Sequence, residues 1–173
     1  MRELLVLARE SIKETIERTT CINLEPYKQK YQKKQSVFIT LKKDNQLRGC
    51  IGQLISEKPL WKNVYDLAKK AAFSDYRFLS IQKEELGDIV IEISLLSALQ
   101  PINSLEDIVI GKHGVQLVIQ EKTAVFLPQV ALNQQWTRQE LVEQLSEKAG
   151  LEKNAWKRGS LNIFTTTIIQ EEK

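Results

Sequence analysis

The sequence predicts an α+β protein with mainly antiparallel sheets and helices packed on them. Three observations carry this reading. A few stretches repeat apolar residues at helical spacing, several short β-branched runs lie among them, and the two kinds follow no βαβ rhythm. At 173 residues the chain suits one domain, or two small lobes sharing a core.

The elements follow in order. Leu5, Ala8, Ile12 and Ile16 recur at helical spacing over residues 3–18, an amphipathic helix packed by one face. Residues 25–36, EPYKQKYQKKQS, read as a basic, tyrosine-bearing solvated connection. Val37 to Leu41 is a strand by β-branched and aromatic content, 42–46 a polar turn, and Leu47 onward the returning strand of a hairpin. Pro59 opens a helix whose buried stripe is Leu60, Val64, Leu67, Ala68 and Ala71. Ile89 to Leu96 is a near-continuous apolar run, a strand buried on both faces. Ser104 with Asp107 suggests a brief capped turn. Val115 to Ile119 and Thr123 to Leu127 are further strands. Thr137 and Glu140 form a capping box opening a helix lined by Leu141, Leu145 and Ala149, and Gly150 closes it. Residues 161–169 read as one final strand rich in Thr and Ile.

Composition limits the function classes. Hydrophobic residues make up 42% and charged residues 27%, which argues against disorder, and a net charge of +3 gives no footprint for nucleic acid. The two cysteines, Cys21 and Cys50, make no disulfide framework and fit reduced thiols in a cytoplasm. The opening apolar run, Leu4 to Ala8, is far shorter than a membrane span, so no membrane role is expected.

The stretch Leu47-Arg48-Gly49-Cys50-Ile51-Gly52 concentrates the chemistry. Gly49 and Gly52 imply positive φ or close approach by another group, Arg48 can fork onto an anion, and Cys50 offers a thiol. Asp75 and Arg77, two apart among aromatics after a helix, present paired charges or an internal ion pair. Glu92 interrupts the most apolar strand and so needs a partner or a cleft, with Arg48 or Arg77 the candidate partners. His113, the one histidine, lies in a tight turn between Gly111 and Gly114. Cys50, His113 and Glu92 together supply the residue types of nucleophilic catalysis, thiol, base and acidic orienter. Against that stands plain packing for the thiol and a loop hydrogen bond for the histidine. No CxxC, HExxH or second histidine points to a metal, and no motif names a cofactor. Gly49 to Gly52 also matches the GxxG of RNA clamps, but a strand signal precedes it, and Cys and Ile are poor phosphate ligands.

These segments together resemble the AMMECR1 domain family, nearest its prokaryotic members called AmmeMemoRadiSam system protein A. The resemblance runs from about Leu4 to Glu171. It is carried by ELLVLARESI, VFITLKKDNQLRGCIGQL, AAFSDYRF, IEISLLSALQPI, GKHGV, LPQVA with Trp136 following, and KAGL. It implies a single domain over residues 1–173, with two lobes and a cleft where the shared motifs gather. It implies a pathway shared with a Memo-like protein and a radical SAM protein, and it brings no assigned activity. The chain departs from the pattern at Tyr76, Leu79 and Ser80, where prolines are usual, and at Asn133, Ala98 and Gln100. The expected site is a polar cleft of Arg48, Gly49, Cys50, Gly52, Asp75, Arg77, Glu92, His113 and Gln129. Two functions compete for it: Cys/His-dependent chemistry on a small molecule or modified residue, and a non-catalytic binding or adaptor module. RNA binding is a third, disfavoured reading.

Overall fold

The structure, a computed structural model, describes residues 1–19 and 22–172. Cys21 therefore lies outside the described residues. The helices are α1 (Glu3–Glu17), α2 (Glu25–Lys30), α3 (Leu60–Phe73), α4 (Pro128–Asn133) and α5 (Arg138–Lys148). The strands are β1 (Val37–Lys43), β2 (Gln46–Gly52), β3 (Ile89–Leu96), β4 (Gln100–Ile102), β5 (Gly114–Ile119), β6 (Lys122–Phe126), β7 (Ser160–Phe164) and β8 (Thr166–Gln170). The α+β class is the one the sequence predicts. Among the described residues no helix is long and apolar enough to cross a membrane.

The chain divides into two compact units, Met1–Leu96 joined by the residues from Thr167 onward, and Ser97–Thr166. The first unit holds a sheet of order β2-β1-β3-β8, antiparallel where β1 meets β2 and β3. Asp44 and Asn45 both take positive φ, the left-handed pair that a two-residue hairpin turn requires. Strand alternation sends Val37, Ile39 and Leu41 of β1 and Ile89, Ile91 and Ile93 of β3 to one face. There they meet Leu4, Leu7, Ala8 and Ile12 of α1 and Val64, Leu67, Ala68 and Ala71 of α3. Each fully buried Ile or Leu in this layer contributes about 1.5–3 kcal/mol. The α3 stripe read from the sequence is the one buried, whereas on α1 Leu5, Ala8 and Ile12 are buried as read, Ile16 is only partly covered, and Leu4 and Leu7 join the core.

The second unit holds the sheet β4-β7-β5-β6. Its core joins Val115 and Leu117 of β5, Leu161 and Ile163 of β7, and Leu141, Val142 and Leu145 of α5. Thr137 and Glu140 form the expected capping box, and Gly150 takes φ +71° just past α5.

Two expectations are corrected. The connection read over 25–36 contains α2, with Pro26 in its first turn, where a missing N–H costs nothing. The terminal run read as one strand is two. β7 pairs with β4 and β5, and β8 lies beside β3 in the other sheet.

Candidate functional site

β2 is an edge strand, and its register slips within the predicted motif. Leu41 faces Gly49 while Lys42 faces Leu47, so Arg48 is the extra residue of a β-bulge. A bulge turns a side chain out of the ordinary alternation. The Arg48 guanidinium forks onto Glu85, Nε and Nη2 each 3.0 Å from a carboxylate oxygen, and Nη1 donates to the Leu79 carbonyl at 2.8 Å. Arg48 holds the Glu85 carboxyl down to about 2, helped by the Gln82 N–H. The glycines serve close approach and not positive φ. A Cβ on Gly49 would lie 2.3 Å from the Ala71 carbonyl oxygen of α3, and one on Gly52 would lie 2.2 Å from the Phe38 ring.

Cys50 follows the bulge. Its N–H donates to Asp75 Oδ2 at 2.8 Å and its carbonyl accepts from Arg77 Nη2 at 3.2 Å. Both backbone groups therefore point off the free edge of the sheet. Asp75 and Arg77 supply there the bonds that a neighbouring strand would make. The two side chains are also paired with each other, Arg77 Nε to Oδ1 at 2.9 Å and Nη2 to Oδ2 at 2.7 Å. Arg77, with the Cys50 and Arg77 N–H groups, holds the Asp75 carboxyl well below the usual carboxylate range. Loop 74–80 is thus pinned at both ends, by Asp75 on Cys50 and by Arg48 on Leu79. The side chains of Tyr76 and Leu79 nevertheless stand out from it, 95% and 87% exposed.

The Cys50 side chain stands on the sheet face opposite α1 and α3. Thr40 is its cross-strand neighbour in β1, and Glu92 is Thr40's neighbour in β3, so the three form one row. Thr40 Oγ1 lies 3.4 Å from Cys50 Sγ. Burial pushes the thiol up. Asp75 and Glu92 add to this, while the Thr40 hydrogen bond and the Arg77 charge oppose it without cancelling it. Glu92 is paired with Lys42 Nζ at 2.7 Å, not with the Arg48 or Arg77 that the sequence suggested. Both of those guanidiniums have nearer acids.

Cys50, Arg48, Gly49, Gly52, Asp75, Arg77 and Glu92 all belong to the first unit, whereas His113 and Gln129 belong to the second. His113 Nδ1 lies 3.2 Å from the Val109 N–H and 3.1 Å from the Asp107 carbonyl, closing its own turn through whichever bond the tautomer allows. Gly111 supplies the positive φ of that turn, and the Phe164 ring fills the Cβ position of Gly114. Gln129 sits half-buried in the first turn of α4. Sequence reasoning missed Thr40, Lys42 and Glu85. For Thr40 a signal existed, because the Asp44-Asn45 turn fixes the hairpin register once the bulge is placed. Among the described residues no three His, Cys, Asp or Glu side chains group as a metal site would need.

A family model described as AMMECR1 matches residues 5–169, across both units. The chain belongs to the AMMECR1 family. A protein of Aquifex aeolicus is 35% identical over 182 residues, covering all of this chain and 93% of the relative. One from Nanoarchaeum equitans is 35% identical over 84% of this chain and 86% of its own, and one from Methanopyrus kandleri 33% over 98% and 87%. The crystal structure of the uncharacterized protein PH0010 from Pyrococcus horikoshii superposes with a TM-score of 0.88 at 28% identity, covering 98% of this AMMECR1 chain and 90% of that one.

Proposed function

We propose that this AMMECR1 protein is a binding module whose recognition element is loop 74–80, held beside Cys50 and offering Tyr76 and Leu79 to a protein partner. One observation carries the reading. The charges around the motif already answer one another, Arg48 with Glu85, Arg77 with Asp75 and Lys42 with Glu92. The Arg48 and Asp75–Arg77 groups brace the loop, the Lys42–Glu92 pair is closed on the sheet, and the side chains of Tyr76 and Leu79 are left as the free chemistry. A braced loop loses little entropy on binding, and exposed aromatic and aliphatic side chains are the usual anchors of an interface. A Memo-like protein and a radical SAM protein, in the cytoplasm, are the partners that the family resemblance supports.

Thiol chemistry is the second reading, favoured by the Cys50–Thr40–Glu92 row and the nearby Arg77 charge. Its difficulty is the upward push on the thiol, which keeps Cys50 protonated at neutral pH, since the thiolate is the nucleophile. Capture of the two candidate partners by the wild type and by a Tyr76→Ala, Leu79→Ser variant tests the first reading. Loss of capture with an unchanged melting temperature is expected, and unchanged capture overturns it. If capture survives while Cys50→Ser abolishes turnover in the reconstituted pathway, the thiol reading replaces it.

A further inference from the structure

Away from loop 74–80, residues of α1, α2 and the segment at Ile22 and Asn23 line an open concavity of about 500 Å³. Val6, Ile22, Pro26 and Tyr27 form its apolar wall, and Val6 is 54% exposed on a helix whose other aliphatic residues are largely covered. Three charged residues line it, Glu3, Glu10 and Lys30. Two of these answer each other. Lys30 Nζ sits 2.8 Å from Glu3, which also accepts from the Tyr31 hydroxyl at 3.0 Å. Glu10 is different. It is half-buried and has no hydrogen bond or ion pair among the described residues. The Tyr27 hydroxyl likewise has no partner there. Tyr27 and Glu10 line the same concavity, and the Tyr27 phenol is pushed up, by burial first and then by the fields of Glu3 and Glu10.

We propose that this concavity binds a small free alkylammonium molecule, of the polyamine class, with its ammonium on Glu10 and Tyr27 and its methylenes on Val6, Ile22 and Pro26. The carboxylate supplies a charge-assisted acceptor, and the phenol adds an oxygen acceptor and a ring face, the two surroundings that favour an ammonium. An anion meets two carboxylates, Glu3 and Glu10, against the one ammonium of Lys30, which Glu3 already holds. A neutral apolar molecule fills the wall but leaves the carboxylate without a counter-charge. The volume falls within the range of roughly 300–1,000 Å³ typical of small-molecule sites, which favours a free molecule over a single inserted side chain. No residue of loop 74–80 takes part, so this site stands or falls separately from partner binding by that loop.

The test is a proton–nitrogen NMR titration of the full chain with cadaverine and spermidine, with 1-pentanol and pentanoate as charge controls. Saturable shifts at the amides of Val6, Glu10, Ile22 and Tyr27 are expected for the amines only. Glu10→Gln keeps shape and removes charge, and because Glu10 holds no partner among the described residues the rest of the spectrum should stay unchanged. It should weaken the amines at least about tenfold, the size of one lost charge-assisted hydrogen bond. Three results overturn the proposal: pentanol binding as well as cadaverine, Glu10→Gln binding as the wild type does, or a lysine-bearing peptide outcompeting the free amines at these amides.

Discussion

If Asp75 and Arg77 stand in for a missing neighbour strand, Asp75→Ala should open the sheet edge at one residue. The Asp75 side chain is 2% exposed and accepts four hydrogen bonds, one from the Cys50 N–H and three from Arg77. Arg77 is 44% exposed, so its freed guanidinium recovers water, and that half of the loss is about 1 kcal/mol. The Cys50 N–H is left with no acceptor on a half-buried strand, which costs about 1–3 kcal/mol. The total is about 2–4 kcal/mol, a fall of about 1–2 M in the urea midpoint for a slope near 2 kcal/mol/M. The sharper assay is native-state hydrogen exchange. The Cys50 amide should lose protection selectively, while Ile51, whose N–H points into the ladder with β1, keeps its own. Equal protection at Cys50 in variant and wild type, with a stability loss below about 0.5 kcal/mol, would refute the edge argument.

Other perturbations follow from the same geometry. Glu85 has its folded pKa lowered to about 2 by Arg48, so its stabilisation is complete above the unfolded value and disappears as pH falls from about 5 to 2. In an acid titration Glu85→Gln should flatten that stretch by about 1–2 kcal/mol, after allowing for solvent screening. Lys42→Met strands Glu92, whose side chain is 10% exposed, and should cost about 3 kcal/mol by chemical denaturation, with Glu92→Gln in the same background recovering most of it. Gly49→Ala drives a methyl toward the Ala71 carbonyl and should cost about 2–3 kcal/mol. Gly87→Ala, with nothing within 4 Å, should instead gain about 0.5 kcal/mol, both read as melting-temperature shifts.

What the sequence disclosed was whatever local spacing encodes. The Thr137–Glu140 capping box, the α3 stripe and the apolar run of β3 are short-range patterns, and each forms as read. The break between β7 and β8 carried no such mark. Residues 160–170 contain neither Gly nor Pro, and the break shows only in long-range bonds, the Ser97 N–H to the Thr165 carbonyl and the Thr165 N–H to Ser97 Oγ, each 2.9 Å. α2 was hidden by its lysines, which suit a solvated helix as well as a loop. Within the candidate site the motif residues stood out as types, but their partners could not be read. Glu85 lies 37 positions from Arg48, and Lys42 lies 50 positions from Glu92. The Arg48 bulge was half legible, because a glycine inside a strand warns of one without saying which residue is extra.

The edge closure at Cys50 also bears on how the protein comes apart. The β1–β2 hairpin closes across a two-residue turn and is local. The bonds from Asp75 and Arg77 to Cys50 span 25 and 27 positions with the whole of α3 between them, and the closing of so long a loop is expected to follow the hairpin. Interactions completed after the folding barrier leave the folding rate nearly untouched and slow unfolding instead. The Asp-Arg pair would then work as a latch fastened last, and Asp75→Ala should steepen escape from the native state while refolding keeps its pace. On a chevron plot that is a raised unfolding arm over an unmoved folding arm, so the lifetime of the Cys50 region is set by a loop outside its strand.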